Sequence, residues 1–419
     1  MLDKIVGFLM NTPWILRILN GIMACVIWLC ALPFPAGEPQ MARAITQDDF
    51  LKTSGRLIKN ESGKGGVVYL RGTNAGGWLV HEEWMCATQA PDHKTIRDTL
   101  EARFGAAERE AMERVYREAF WQESDFDICA EMGMTTLRLP FLYWDVVDED
   151  ANLLPNAFEW LDWFVKHCAA RGIYVILDLH GAFGSQNGQH HSGIINDGRQ
   201  LYYNEANRAK TIKLWEEIAR HYEGNPAIAG YGLLNEPEND TGRTGEMQWD
   251  YYDELYRAVR AIDPDHIIFL GACWDVSAMP QPKQYGWSNI VYEYHHYAWN
   301  MMSSTEGIVF HSSLEATREA LQNFGVPTLI GEFTCFGNDE AWRQSLAIYN
   351  KLGMHWTTWT YKVRGRNEAG DPWWGIYEAD IPQADIKNGS KEEILAIWRQ
   401  TATEGMKATR LKGILEELL

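Results

Sequence analysis

The sequence predicts an α/β protein built as a single (β/α)8 TIM barrel, because eight short apolar runs alternate with longer amphipathic stretches. The runs lie at 67–74, 135–141, 173–180, 227–236, 266–273, 289–297, 327–333 and 354–361. A doubly wound open sheet is the alternative, and it usually carries a glycine-rich phosphate turn after its first strand. No GxGxxG pattern follows Tyr69, which favours the closed barrel.

Segments with helical spacing of apolar residues separate several of these runs. The helices predicted in this way cover 107–131, 157–170, 205–222 and 341–352. Glycine follows each of them within a few residues, as expected where a helix stops in the left-handed conformation. Residues 392–419 predict one or two closing helices.

The chain divides into three parts by composition. Residues 67–419 form the barrel, 41–66 lead into it or cap its bottom, and 1–40 stand apart from the fold. Lys4 and Arg17 precede an apolar run at 18–34, which resembles a signal peptide or a single membrane anchor. Export or anchoring at the cell envelope is favoured, whereas translation from Met41 would give a cytoplasmic protein.

Composition narrows the class of partner. The formal net charge is −19, which argues against a nucleic-acid partner because phosphate backbones require clusters of Lys and Arg. Tryptophan is unusually abundant at 19 of 419 residues. A core rich in Trp and a cleft that stacks the flat faces of sugar rings are both consistent with that abundance.

Polar residues end nearly every predicted strand, at the rim that forms the active face of such barrels. These residues are Asn74, Arg138, His180, Asn235, Glu236, His295, Tyr297, Glu332 and Trp359. Each alone has an ordinary structural explanation, such as an ion pair or a buried histidine. Their convergence on one rim predicts a functional site.

Glu236 and Glu332 end the fourth and seventh strands, so their carboxyl groups should meet across one pocket. Cleavage of a glycosidic bond needs such a pair. We expect Arg138 to keep Glu332 ionised and Glu236 to have the raised pKa of a general acid. Asn235 is placed to bind a sugar 2-hydroxyl, His295 and Tyr297 to orient the carboxylates, and Trp359 to form the floor.

At these residues the chain resembles glycoside hydrolase family 5, a retaining branch of the (β/α)8 hydrolase clan. The motifs are LRLP at 137–140, DLHG at 178–181, LLNEP at 233–237, HHY at 295–297 and GEF at 331–333. The resemblance covers about residues 65–400 and implies that Glu236 is the acid/base and Glu332 the nucleophile. It places Arg138, His180, Asn235, His295, Tyr297 and Trp359 around them. The His-x-Tyr pattern favours His295 over His296.

Within the family, the segments at 72–84, 125–140 and 178–188 resemble the exo-β-1,3-glucanase and β-glucosidase branch, whose closed pocket removes terminal glucose. That likeness implies β-linked glucans or glucosides as substrates and no cofactor. Gln186 and Asn187 would contact sugar hydroxyls, and Trp374 would stack a leaving-group sugar or pack within its loop. An endo-β-glucanase and a glycolipid or β-mannoside hydrolase of the same family are alternatives.

Two other classes use different chemistry. A metal-dependent barrel hydrolase would draw ligands from Asp178, His180, His190, His191, His295 and His296, but the first strand lacks the HxH pair typical of such enzymes. A carbohydrate-binding protein without catalysis would lack one of the two glutamates, and both are present. We therefore predict no metal at the site.

Overall fold

The computed structural model describes residues 43–196, 200–238, 246–272, 276, 279–297, 324–365 and 374–419. The predicted signal or anchor segment at 18–34 lies outside them. Within the described part of the chain, no helix combines the length and the apolar character needed to cross a bilayer.

Eight parallel strands close into a barrel, which confirms the predicted fold class. They are β1 (Arg71–Asn74), β2 (Thr136–Leu142), β3 (Tyr174–Gly181), β4 (Ile228–Gly232), β5 (Ile267–Gly271), β6 (Ile290–Tyr297), β7 (Thr328–Thr334) and β8 (His355–Thr358). Neighbours along the chain are neighbours in the sheet, and β8 closes the ring by pairing Trp356 with Arg71 of β1. All eight predicted runs contain a strand.

The main helices surround this barrel. They are α1 (His93–Phe104), α2 (Ala106–Phe120), α3 (Glu123–Glu131), α4 (Glu159–Ala170), α5 (Glu205–Tyr222), α6 (Glu246–Ile262), α7 (Asp339–Lys351), α8 (Lys391–Trp398) and α9 (Arg410–Leu418). Shorter helical turns lie at Gln47–Asp49, Asn60–Gly63, Tyr143–Asp145, His190–Ser192, Gln200–Tyr203, Pro282–Tyr285, Arg399–Thr401 and Thr403–Gly405.

The helix predicted at 107–131 is in fact two, α2 and α3. The break follows Trp121, where the backbone N–H of Gln122 donates to Asp125 at 2.8 Å and starts a new helix. The helices α1 and α6 were not among the predicted segments. In α1, Asp92 provides the N-cap by accepting a hydrogen bond from the Thr95 backbone at 2.7 Å.

Successive side chains along each strand point alternately to the surrounding helices and to the barrel interior, because the side-chain period of a strand is two residues. In β2, Leu137 and Leu139 pack with the helices, whereas Arg138 between them points to the barrel axis. A second cluster, which includes Ile176, Phe269, Val291 and Leu329, fills the lower part of the barrel. The polar site therefore rests on a packed apolar floor.

The segment before the barrel contacts the amino ends of the strands. It forms a hairpin of Lys52–Ser54 and Leu57–Lys59. The Thr53 backbone donates to Asn289 Oδ1 at 2.9 Å, and the Tyr174 hydroxyl donates to the Asp49 carbonyl at 2.9 Å. These contacts place the hairpin at the face opposite the strand carboxyl ends.

A second small sheet follows β8, and a buried ion pair connects it to α3. Its strands are Lys362–Arg364, Tyr377–Ala379 and Lys407–Ala408. Lys362 Nζ lies 3.1 Å from Asp125 Oδ2, and neither side chain is exposed. The pKa of Lys362 is lowered by burial, while Asp125 opposes that shift. The pair links the sheet to α3.

Replacement of Asp125 by alanine should destabilise the fold by about 3–5 kcal/mol, because it leaves the Lys362 ammonium buried without its counter-charge. The double variant Asp125→Leu/Lys362→Met should recover much of that loss. Urea unfolding of the three proteins measures both effects. A similar loss in the single and the double variant would show that the charge pair itself is not the cause.

Candidate active site

A cavity of about 490 Å³ opens at the carboxyl ends of the strands. This size is within the range of about 300–1,000 Å³ found for small-molecule sites. Seven of the residues predicted from the sequence line it: His180, Asn235, Glu236, Tyr297, Glu332, Trp359 and Trp374. The convergence predicted from the strand ends is therefore present in the structure.

Arg138 lies beneath this cavity and forms hydrogen bonds with several side chains around it. Its Nη1 donates to Glu332 Oε1 at 3.0 Å and to Asn74 Oδ1 at 3.0 Å. Its Nη2 donates to Asn235 Oδ1 at 2.8 Å. The planar guanidinium thus fixes the nucleophile candidate and its neighbouring amide in one plane.

Two more carboxylates surround the same guanidinium. Asp178 Oδ1 lies 2.9 Å from Nη2, and Glu293 Oε1 lies 2.8 Å from Nε. Burial alone would lower the pKa of Arg138, but Asp178, Glu293 and Glu332 outweigh it and raise the pKa. Sequence reasoning missed Glu293, although its place two residues before His295 on one face of β6 was a signal.

Glu332 ends β7 and is almost fully buried. The Tyr297 hydroxyl donates to its Oε2 at 2.9 Å, and His295 Nδ1 lies 3.4 Å from the same oxygen. One of its oxygens lies within 4.8 Å of a Glu236 oxygen. The two carboxyl groups therefore face a common space.

Glu236 follows β4 and is held by two imidazoles. His295 Nδ1 lies 2.6 Å from Oε1, and His191 Nε2 lies 2.9 Å from Oε2. The backbone of Glu236 has φ +40°, a left-handed value that is uncommon outside glycine. The Asn187 amide donates to the Glu236 carbonyl at 3.1 Å and so supports this conformation.

The pKa order predicted for the two glutamates differs from that in the structure. Burial would raise the pKa of Glu236, but His191 and His295 outweigh it and hold the pKa well below its usual value. Burial raises the pKa of Glu332, although His295 and Arg138 oppose that shift. The prediction failed because it did not anticipate His191 beside Glu236.

The two imidazoles beside Glu236 have raised pKa values. Burial would lower the pKa of His295, but Glu332 and Glu236 raise it to about 10. The pKa of His191 rises to about 9 against the same effect of burial, mainly because of Glu236. Each imidazole can therefore carry a positive charge near neutral pH.

His180 and Trp359 form one wall of the cavity. Their rings stack with centroids 5.4 Å apart and an angle of 8°. His180 Nδ1 lies 2.7 Å from Asp178, and its Nε2 lies 3.3 Å from the Asn235 amide nitrogen. These contacts fix the tautomer with the proton on Nδ1 and orient Asn235.

Gln186 and Asn187, which were predicted to contact sugar hydroxyls, are not among the residues that line the cavity. Gln186 is fully buried and donates to the carbonyls of His180 and Asn235, both at 2.8 Å. Asn187 is nearly as buried and contacts His191 and the Glu236 backbone. Both side chains fix the loop after β3 onto the strand ends.

Sequence reasoning also missed the wall formed by Glu82 and Trp84, which follow β1. Trp84 Nε1 donates to Glu82 Oε2 at 2.8 Å, and His190 Nε2 lies 3.0 Å from the same oxygen. Trp84 and Trp374 lie with ring centroids 4.7 Å apart. The only available signal was the aromatic and acidic content of the segment at 72–84.

Among the described residues, Glu236, His295 and Glu332 offer ligand atoms within 4.8 Å of one another, as a metal site would. Two ligands on a tetrahedral metal at about 2.0–2.1 Å would be about 3.3 Å apart. His295 Nδ1 and Glu236 Oε1 are only 2.6 Å apart, which is the spacing of a shared proton. His190 and His191 contact Glu82 and Glu236 instead of converging on a common point.

Comparison with known proteins places the chain among carbohydrate-active enzymes. The family model Cellulase (glycosyl hydrolase family 5) matches residues 102–365. A Beta-xylosidase of Phanerodontia chrysosporium is 32% identical over 347 residues, which span 75% of this chain and 71% of that protein. A Probable glucan 1,3-beta-glucosidase A of Aspergillus clavatus is 29% identical over 280 residues, covering 63% of this chain and 65% of the relative.

A second Probable glucan 1,3-beta-glucosidase A, from Neosartorya fischeri, is 32% identical over 55% of this chain and 56% of its own length. Among solved structures, rutinosidase from Aspergillus niger matches with a TM-score of 0.57 and 18% identity, over 72% of this chain and 91% of that chain. An endogalactoceramidase matches with a TM-score of 0.58 and 16% identity, over 84% of each chain. These structural matches support the barrel fold.

The two imidazoles should make stability depend on pH. Their pKa values in the folded protein, about 9 and about 10, lie above the ordinary 6.5, so the folded state binds more protons. Relative to a His191→Gln/His295→Gln variant, wild type should gain most stability below pH 6.5 and lose that gain as the pH rises to about 10. Urea unfolding across this range tests it. A stability difference that does not change with pH would contradict the assignment.

Proposed function

Because the chain belongs to glycosyl hydrolase family 5, it is a retaining β-glycosidase, and we propose that it removes terminal glucose from β-glucans or β-glucosides. The observation that carries the proposal is the meeting of Glu236 and Glu332 in one sugar-sized cavity. Their nearest oxygens lie within 4.8 Å of each other. Carboxyl groups about 5–5.5 Å apart favour retention, whereas about 6.5–9.5 Å favours inversion.

The contacts of the two glutamates suit different roles. Glu332 is bound by the Arg138 guanidinium and the Tyr297 hydroxyl, which fix its carboxylate as the nucleophile. It would attack the anomeric carbon while the bond to the leaving oxygen breaks. Glu236 lies across the cavity beside two proton-bearing imidazoles, which suits a group that protonates the leaving oxygen. In the second step it would take a proton from the water that releases the sugar.

The cavity walls suit a bound glucose residue. Glu82 offers a carboxylate that can accept hydrogen bonds from sugar hydroxyls, and Trp359 offers a flat apolar face. Burial would raise the pKa of Glu82, but His190 and His191 lower it, so the carboxylate stays ionised. Trp84 and Trp374 lie on the rim and provide aromatic faces for the leaving-group side.

Direct assay with product analysis tests substrate and stereochemistry together. We expect turnover of an aryl β-glucoside and release of glucose from the non-reducing end of β-1,3-linked oligosaccharides. Proton NMR should show the β-anomer first, since two displacements at one carbon retain configuration. Comparing kcat/KM for aryl β-glucoside, β-xyloside and β-mannoside shows which sugar the enzyme prefers. Initial appearance of the α-anomer would refute retention, and release of internal fragments would refute exo attack.

Glu332→Gln should reduce kcat by at least about 10⁴-fold, because an amide cannot form the glycosyl-enzyme. The fold should persist, since the amide oxygen can still accept from Arg138 and the amide nitrogen can donate to the Tyr297 hydroxyl oxygen. The matched control is Glu254→Gln, on the exposed face of α6, where the carboxylate pairs with Arg208. Near-normal turnover of Glu332→Gln would refute its role as nucleophile, and circular dichroism would report any loss of fold.

A further inference from the structure

His191 is built into the wall of the cavity at a fixed position. It lies in the short turn His190–Ser192 after β3, and its Nε2 is 2.9 Å from Glu236 Oε2. Hydrogen bonds hold this turn in place: Ser192 Oγ lies 2.6 Å from Ser185 Oγ and donates to the Gln189 carbonyl at 2.8 Å. His295 contacts the other oxygen of Glu236, so each carboxylate oxygen has one imidazole partner.

The charged and titratable groups around His191 come from several elements. Carboxylates act on it from Glu236 after β4, from Glu82 after β1 and from Glu332 on β7. The ring of His180 on β3 lies 6.2 Å away, and that of His190 in its own turn lies 5.4 Å away. Negative charge dominates these surroundings, which favours a proton on the imidazole.

We propose that His191 is a positioning residue that acts through Glu236, holding its carboxyl group and storing the proton that Glu236 delivers to the leaving oxygen. This inference rests on the proposed function. In the first step the bond from the anomeric carbon to the leaving oxygen breaks, and a bond to a Glu332 oxygen forms. One proton passes from His191 Nε2 to Glu236 and from Glu236 to the leaving oxygen, so the imidazole ends neutral.

The second step restores the starting state. Water attacks the anomeric carbon, the bond to Glu332 breaks, and the water proton passes through Glu236 back to His191. The neutral imidazole of the intermediate also has a partner, because the Asn187 amide nitrogen lies 2.8 Å from Nε2 and can donate to it once the proton has left. Glu236 Oε2 accepts from the protonated Nε2, and the Asn187 amide nitrogen is the partner of the neutral ring.

The order of the pKa values agrees with this geometry. The pKa of His191 is raised to about 9, and that of Glu236 is well below its usual value. The shared proton is thus on the imidazole until a leaving oxygen approaches the carboxyl group.

The test compares kcat/KM for two aryl β-glucosides in wild type and His191→Gln. A poor leaving group such as phenol needs the proton, so its kcat/KM should fall about 10–100-fold, a fraction of what general acid catalysis contributes. For 2,4-dinitrophenol, which leaves without protonation, the fall should stay below about 3-fold. The alkaline limb of the pH profile for the phenyl substrate should move at least about one unit lower.

Equal losses for both substrates would overturn the inference, because a purely structural role affects both alike. Unchanged kinetics would also overturn it. If His191→Gln does not fold, His191→Asn provides the same comparison with a smaller amide. The matched control is His221→Gln on α5, an imidazole that contacts Asp162 outside the cavity. Wild type without turnover of either substrate would refute the proposed function and this inference with it.

Discussion

The rest of the site depends on one buried cation, the guanidinium of Arg138. Five oxygen-bearing side chains lie within 3.0 Å of it, and they come from strands around most of the barrel: Asn74, Asp178, Asn235, Glu293 and Glu332. A buried charge is costly unless it is paired, so these groups must converge for the barrel to close with Arg138 inside. The same requirement places Glu332 and Asn235 where the chemistry needs them.

The two glutamates differ because their neighbours differ. Glu332 shares the Arg138 guanidinium with other carboxylates and accepts from a neutral phenol, while Glu236 makes the shorter contacts with the two imidazoles, His191 and His295. The nearest cation to Glu332 is therefore a guanidinium, which keeps its charge, whereas the nearest groups to Glu236 are imidazoles, which can gain and lose a proton. A nucleophile benefits from the first arrangement, and a group that gains and loses a proton in each cycle benefits from the second.

The fold and the two glutamates could be predicted from the sequence because both follow from local rules. Strand periodicity located all eight strands, and polar residues at their carboxyl ends located the rim. The role of His191 could not be predicted, because the path of the loop after β3 decides which residue reaches Glu236. The backbone contacts of Gln186 and Asn187 could not be predicted for the same reason, since a polar loop residue near a pocket can either bind a ligand or hold the loop itself. The split between α2 and α3 depended on a single capping contact at Asp125.

Adjacent residues of the loop after β3 line the cavity and fix the backbone of the strand ends. Its tip lines the cavity, while Asn187 and Gln186 fasten it to the backbone of Glu236 and Asn235. Barrel enzymes are often described as interchangeable recognition loops on a constant chemical base. That modular description does not apply here. A graft of this loop from another enzyme would alter the backbone that presents the acid, and substrate range could not be exchanged without also retuning the reaction.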